Sequence, residues 1–262
     1  MLDSSISAVV TGGGSGLGLA TVKALRQRGV KVAIVDFNLQ HGVQAATETG
    51  SVFSQADVTD EGQTVAAFEK ASTMNGQERV LVNCAGGAAG TGRAASRKKT
   101  GEIVRYDMTA FEATLELTTV GTFRCTTISA AGMMTLDPLS DGDCGAIVNT
   151  ASAAAVEGQI GQAAYSAAKA GVVGTTLTIA RDPALEATRV NTFMPGAMST
   201  PPMQRFAQSN PADADALAKS VPFPPRMDHP AEFAHLAIAV LENGDMNGET
   251  LRLDGAIGMP PP

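Results

Sequence analysis

Apolar and polar positions run along this chain in two rhythms. Short, nearly continuous apolar runs recur at 6–10, 31–35, 51–55, 79–83, 145–150, 189–193 and 249–253. Runs of that length, bounded by Gly, Asp or Asn, have the pattern of strands buried on both faces. Between them, apolar residues fall at helical spacing over about 16–28, 60–74, 109–134, 162–182 and 230–243. The alternation predicts an α/β fold: one doubly wound domain over 1–262, with about seven parallel strands and helices on both faces. Ligands of such sheets bind beyond the carboxyl ends of the strands. The uncommon residues gather at those ends: Gly12, Asp36, Asp57, Asn83, Ser152 and Pro195.

The first strand leads into Thr11-Gly12-Gly13-Gly14-Ser15-Gly16-Leu17-Gly18, and then into an amphipathic pattern carried by Leu17, Ala20, Val22, Ala24 and Leu25. A glycine turn between strand and helix lets a bound group approach the backbone, and the helix start offers unpaired N–H groups and a positive dipole end. The expected guest is the pyrophosphate of a dinucleotide; a plain tight turn is the alternative. The spacing is G-x-x-x-G-x-G, from Gly12, Gly16 and Gly18, and not the commoner G-x-G-x-x-G. Asp36 ends the second strand. A carboxylate there accepts hydrogen bonds from the adenosine ribose hydroxyls and repels a 2′-phosphate, so it selects NAD over NADP. The competing reading of Asp36 is a helix cap.

Composition narrows the partners. The chain has 262 residues, 44% apolar and 17% charged, with a net charge of −7. An acidic chain is a poor match for nucleic acid, which needs a basic face. No apolar run of about 18 residues predicts a membrane span, and the start Met1-Leu2-Asp3-Ser4-Ser5 lacks the pattern of a signal peptide. Cys84, Cys125 and Cys144 and the scattered His41, His229 and His235 have no metal-ligand spacing, so no metal is expected. An odd number of scattered thiols suits a reducing cytoplasm. Three segments read as insertions: 86–107, glycine-rich and basic through Arg93, Arg97, Lys98, Lys99 and Arg105; the acidic 137–143; and 194–227, rich in Pro, Met and Phe. Pro260, Pro261 and Pro262 extend neither strand nor helix and are expected to trail on the surface.

Tyr165 and Lys169 stand four apart in a segment that reads as helix, which places them on one face. A phenol with a pKa of about 10 is a poor base near neutrality. Lowering it by about three units takes roughly 4 kcal/mol. One cation about 4 Å away supplies that order of energy at an effective dielectric near 20. Lys169, with the positive nicotinamide ring of NAD⁺, is sufficient in principle. Ser152 follows the fifth strand and precedes Tyr165; its hydroxyl can polarise a carbonyl or hold an alcohol beside the Tyr165 oxygen. Taken singly, the Tyr–Lys pair reads as exposed helix surface and Ser152 as a cap.

Together these residues resemble the short-chain dehydrogenase/reductase family over essentially the whole chain, which implies a Rossmann-type fold and a nicotinamide cofactor. The resemblance implies cofactor contacts from Gly12, Ser15, Gly16, Leu17, Gly18, Asp36 and Phe37; from Asp57 and Val58 at the adenine; from Asn83, Ala85 and Gly86 in Asn83-Cys84-Ala85-Gly86; and from Tyr165, Lys169, Pro195, Gly196, Met198 and Thr200. It implies Ser152, Tyr165 and Lys169 as catalytic residues. The family's fourth catalytic position, usually Asn, is Thr118 here. That Asn helps hold a water that links the lysine to bulk solvent, and Thr118 has a shorter reach. Within the family, Asn149-Thr150-Ala151-Ser152, 157–165 and 253–257 resemble the short-chain, type 2 3-hydroxyacyl-CoA dehydrogenases. These oxidise 3-hydroxyacyl-CoA with NAD⁺ in fatty acid metabolism, accept some hydroxysteroids and alcohols, and form homotetramers. The resemblance therefore implies an acyl-CoA thioester or another secondary alcohol as substrate. The alternatives are a hydroxysteroid dehydrogenase and an impaired NAD-binding regulator. Segment 194–227 is expected to form a substrate lid, with Met194, Met198, Met203, Phe206, Phe223 and Met227 as its apolar surface or as plain core. The basic residues of 93–105 face CoA phosphates or only solvent.

Overall fold

The computed structural model describes residues 2–258; the expectation for Pro260–Pro262 lies outside them. In chain order the elements are β1 (Ser7–Thr11), α1 (Gly16–Gln27), β2 (Lys31–Asp36), α2 (Leu39–Thr49), β3 (Val52–Gln55), α3 (Glu61–Asn75), β4 (Val80–Asn83), β5 (Ala95–Arg97), β6 (Ile103–Arg105), α4 (Met108–Leu115), a π-helical turn (Glu116–Val120), α5 (Gly121–Met133), β7 (Gly145–Thr150), α6 (Ala163–Arg181), β8 (Thr188–Pro195), α7 (Pro201–Ser209), α8 (Pro211–Ser220), α9 (Pro230–Leu241) and β9 (Thr250–Leu253). Seven strands form one sheet in the order β3-β2-β1-β4-β7-β8-β9, every pair parallel.

The apolar runs are continuous because both sheet faces are covered. Val10, Ile34, Val82 and Val148 point to one layer, with Leu25 of α1 and Phe233 of α9. Their strand neighbours Val9, Val35, Leu81 and Ile147 point to the other, with Phe68 of α3 and Met133 of α5. The chain reverses its direction of travel across the sheet between β1 and β4, which opens a crevice beyond their carboxyl ends.

Four features differ from the sequence expectation. Helix α2 has Gly42 in its middle and few apolar residues, so its periodicity is weak. It forms because the Asn38 side chain caps it, accepting from His41 N at 2.9 Å, and Gly42 lets the Phe53 ring lie flat against the helix. The basic insertion contains a two-stranded antiparallel ribbon, β5–β6, too short to show as alternation. The predicted helix 109–134 is two helices joined through the π turn. Segment 194–227 contains α7 and α8, each opened by a proline at its first turn.

A buried carboxyl sits at the amino-terminal edge of the sheet. Glu78 is 2% exposed. Its Oε2 accepts from Gln77 Nε2 at 2.8 Å, while Oε1 and the nearby Ser129 hydroxyl have no hydrogen-bond partner among the described residues. Burial pushes its pKa up to about 7. A carboxyl whose folded pKa is raised binds its proton more tightly in the folded state, so stability falls as pH climbs from the ordinary carboxyl range through 7. Glu78→Gln should therefore stabilise the fold by up to about 3 kcal/mol at pH 8 and by little at pH 4. Denaturant titration of both proteins at the two pH values measures it, and an equal effect at both would contradict the assignment.

Candidate active site

The site is assembled by one row of buried polar residues at the carboxyl ends of the central strands. Thr11, Asn83 and Asn149 stand in register on β1, β4 and β7. Asn83 Oδ1 accepts from Thr11 Oγ1 at 3.1 Å, and its Nδ2 donates to Asn149 Oδ1 at 2.9 Å and to Thr126 Oγ1 of α5 at 3.2 Å. The Asn83 side chain is thus committed to the protein, and what this segment can present to a ligand is the backbone of 84–87. Thr11 Oγ1 also accepts from Ala85 N at 3.3 Å, which draws that backbone over the glycine turn.

The glycine turn is packed so closely that side chains are excluded. Gly12 has φ +65°, and a Cβ on it would lie 2.7 Å from Ala85 N. A Cβ on Gly18 would lie 2.2 Å from the Gly12 carbonyl oxygen. Ser15 opens α1 without a side-chain cap, and the first turn carries no acidic residue. The first N–H groups of α1 therefore remain available to an anion. Asp36 is buried; its Oδ2 accepts from Gly14 N at 2.9 Å and its Oδ1 from Asn38 N at 2.9 Å. The cap of α2 is Asn38, so the helix-cap reading of Asp36 does not hold. Phe37 beside it is 72% exposed. Asp57 is exposed and accepts from the backbone and hydroxyl of Thr59, while Val58 is buried against Gly121. Across the crevice, Thr200 opens α7 and lies against Gly16. This cradle of bare backbone, open helix start and buried carboxylate fits a nicotinamide dinucleotide.

Ser152, Tyr165 and Lys169 meet beside it. Ser152 follows β7, and its Oγ accepts from Ala154 N at 3.2 Å, so it caps a short 3₁₀ turn and still holds a hydroxyl proton next to the Tyr165 phenol. Lys169 is buried, and its Nζ donates to Thr150 O at 2.7 Å and stands 5.8 Å from the Tyr165 ring centroid. Burial pulls the Lys169 pKa down to about 8. Burial also pushes the Tyr165 phenol up, with the Ser152 hydroxyl pulling against it. The depressed phenol expected from the spacing alone is therefore not a property of the protein by itself: the ammonium is committed to a carbonyl and is itself discouraged from ionising. Cys84 adds no nucleophile, because burial pushes its thiol up to about 12.

Thr118 lies in the π turn, wholly buried. Its hydroxyl donates to Gly87 O at 2.9 Å and accepts from Gly87 N at 3.0 Å. A Cβ on Gly86 would lie 3.3 Å from Thr118 Oγ1 and 3.4 Å from Lys169 Nζ, so Thr118 and Lys169 share one turn as neighbour. The apolar set of 194–227 divides. Met194 packs with Ala151 and Val172, and Met198 joins the main core. Met227 packs on Ala197, Val221 and Ile257, whereas Phe206 and Phe223 face solvent. In the sequence Asn149 and Thr150 stand only as part of a family motif, and Thr126 carries no signal; a polar residue closing an otherwise apolar buried strand was the available sign for Asn149.

Comparison with known proteins bears on this geometry. A profile described as short chain dehydrogenase matches residues 7–211. This chain belongs to the short-chain dehydrogenase family. It is 42% identical over 263 residues to 3-hydroxyacyl-CoA dehydrogenase type-2 of Drosophila melanogaster, covering 100% of both chains. It is 43% identical over 256 residues to the protein of that name from Homo sapiens, covering 97% of this chain and 95% of that one. The crystal structure of 3-hydroxyacyl-CoA dehydrogenase type-2 from Mycobacterium avium superposes with a TM-score of 0.89 at 39% identity, covering 100% of this chain and 99% of that one. As a short-chain dehydrogenase the protein is an oxidoreductase that uses a nicotinamide cofactor on a small molecule. Among the described residues no helix is long and apolar enough to cross a membrane.

Thr118→Val keeps the shape and removes the hydroxyl, leaving both Gly87 backbone groups unpaired in a buried turn. It should cost about 1–3 kcal/mol of stability, read by denaturant unfolding. A cost near zero would show that the hydroxyl does not hold this turn.

Proposed function

We propose that this protein is an NAD-dependent dehydrogenase of secondary alcohols, with 3-hydroxyacyl-CoA as substrate and 3-oxoacyl-CoA as product. The observation that carries the reading is that one sheet edge holds both Asp36, at the end of β2 and bonded to the glycine turn, and the group of Ser152, Tyr165 and Lys169 after β7, three strand positions away. Asp36 supports NAD over NADP, since its buried carboxylate leaves no place for a 2′-phosphate. The substrate class rests on the names of the relatives that match from end to end.

Bound NAD supplies the hydride acceptor. The protein's own residues handle the proton and the oxygen. Ser152 donates to the substrate oxygen and holds it at the Tyr165 hydroxyl. Tyr165 takes the alcohol proton in oxidation and returns it to the carbonyl oxygen in reduction. Lys169 binds the nicotinamide ribose and favours the phenolate. Thr118 keeps the 86–87 turn in place against Lys169. Helices α7 and α8, with the two turns that flank them, form the lid. A homotetramer fits the apolar surface left by Val120, Phe123 and Leu177 on the outer helices, and a reducing cytoplasm fits the three free thiols.

In the protein by itself, burial holds the Tyr165 phenol above its ordinary pKa. A protonated phenol is ready to donate, so reduction of a 3-oxoacyl-CoA should run well at pH 7, and oxidation should climb as pH rises toward the phenol's pKa. Tyr165→Phe should lose about 10²–10⁴-fold in kcat, with NAD affinity nearly unchanged. NADH absorbance with 3-hydroxyacyl-CoA, a hydroxysteroid and a cyclic diol, against NAD⁺ and NADP⁺, tests the assignment. Turnover by the Phe variant at the wild-type rate, or preference for NADP⁺, would overturn it.

The basic ribbon supports a CoA thioester in a narrower way than its charge count suggests. Arg97 donates to Gly101 O and Lys98 pairs with Glu102, so both are turned into the hairpin. Arg93, Lys99 and Arg105 have no ion-pair partner among the described residues and are the groups available to phosphates. Neutralising these three should raise KM about 10-fold for a CoA thioester, the loss of roughly 1.4 kcal/mol, and leave KM for a small secondary alcohol unchanged. Equal effects on both would remove the ribbon from the substrate site.

A further inference from the structure

We propose that Arg252 is a positioning residue for the reaction: it ties the loop between Ser152 and Tyr165 to the turn after β8, and so sets the separation of the two walls of the cleft. The inference rests on the dehydrogenase reading for its catalytic half. Arg252 lies on β9, outside the catalytic residues and the cofactor cradle. Its Nη1 donates to Glu157 Oε1 at 2.7 Å and its Nη2 to Glu157 Oε2 at 3.2 Å, a two-pronged contact across 95 residues of sequence. On its other side its Nε donates to Asp254 Oδ2 at 3.0 Å, and Nη2 bonds the same oxygen. The Arg252 side chain is 35% exposed and that of Asp254 only 7%.

Each carboxylate belongs to a different wall. Glu157 follows the 3₁₀ turn that Ser152 caps and precedes Tyr165 by eight residues. Its loop has little apolar anchorage, because Val156 and Ile160 are 61% and 56% exposed. Asp254 fills the space beside Gly196, where a Cβ would lie 2.7 Å from Asp254 Cβ, and Gly196 N donates to Leu253 O at 2.9 Å. Gly196 belongs to the turn that leads to Thr200 against the glycine cradle. The planar fork of one guanidinium thus meets the Ser152–Tyr165 wall with one edge and the Pro195–Gly196 wall with the other.

An exposed ion pair alone contributes little. This one differs in three ways. The geometry is two-pronged on the loop side, the partner on the other side is buried, and a guanidinium holds both carboxylates at fixed angles as an ammonium cannot. Both carboxylates reinforce the positive charge, raising the Arg252 pKa above its ordinary value. The expected consequence is kinetic: a loop held less firmly places Ser152 and Tyr165 less often in line with the substrate oxygen, and errors of that kind are costly in rate.

The test uses Arg252→Lys, Glu157→Ala and their double variant in the full-length protein, with Glu157→Gln as the conservative control. Hydrogen exchange should quicken at 156–161 in both single variants while exchange in β1 and β4 stays as in the wild type. Each single variant should lose about 10-fold in kcat with KM for NAD⁺ changed less than about 3-fold, and the double variant should be no worse than the weaker single, since the two groups act as one contact. Glu157→Gln, which keeps an acceptor oxygen, should recover most of the rate. Unchanged exchange at 156–161, or additive losses of kcat, would overturn the proposal. A wild-type protein that turns over no secondary alcohol would overturn the function and the catalytic half of this inference, while the exchange measurement would still decide the brace itself.

Discussion

The hydrogen bonds of Asn83 are the constraint on which the rest of the site depends. One side chain joins three neighbouring strands and helix α5 at the level where the strands end. It accepts once and donates twice, all inside the protein. Each such bond contributes about 1 kcal/mol net, but a partner left unpaired in that layer costs about 1–3 kcal/mol. The register of β1, β4 and β7 is therefore held where slippage would matter most. The glycine turn after β1, the backbone of 84–87 after β4 and Ser152 after β7 project from three strands that cannot shift separately.

Burial then decides the electrostatics. Lys169 is buried and Tyr165 is half-buried. Desolvation disfavours charge on both groups: it moves the lysine down and the phenol up. At neutral pH the lysine is still mostly protonated while the phenol stays neutral, so the pair carries one positive charge. The i, i+4 spacing of Tyr165 and Lys169 shows only a cation and a phenol on one helix face. The third participant, the Thr150 carbonyl that accepts a hydrogen bond from Lys169 Nζ, is contributed by the strand before Ser152, 19 residues away.

Much of this was legible in the sequence because it depends on local rules. The seven strands were visible since a strand covered on both faces must be apolar throughout, and the glycine turn since close backbone approach tolerates no other residue. Asp36 was legible as a carboxylate closing the second strand, and the capping of α2 by Asn38 removes the alternative. What was hidden depends on contacts between distant segments. Helix α2 exists through a cap and a glycine pressed on Phe53, neither of which makes periodicity. The split of Met194 and Met198 from Phe206 and Phe223 could not be read from a shared apolar composition, because composition does not say which way the chain turns after Pro195. Thr118 read as a shortened Asn; in the fold its two bonds to Gly87 use the hydroxyl as donor and acceptor at once, which needs no longer side chain.

The two ends of the sheet obey different demands. At the carboxyl edge the buried polar groups Thr11, Asn83, Asn149 and Thr126 satisfy one another. Among the described residues Asn75, Glu78 and Thr188 at the amino edge each keep a buried polar atom without a partner, and outside the Thr11–Asn83–Asn149–Thr126 row so do Ser54 and Ser166. An unpaired group costs stability wherever it lies, but only at the carboxyl edge does the same fault also displace reacting groups. Glu78 stands five residues before Asn83, roughly 16 Å along the strand at about 3.3 Å per residue. Sites separated by more than about 7–10 Å with no shared partner contribute nearly independently. The fold can thus tolerate a strained carboxyl at one end of β4 while the other end stays ordered, and relief of that strain leaves the geometry of Ser152, Tyr165 and Lys169 as it is.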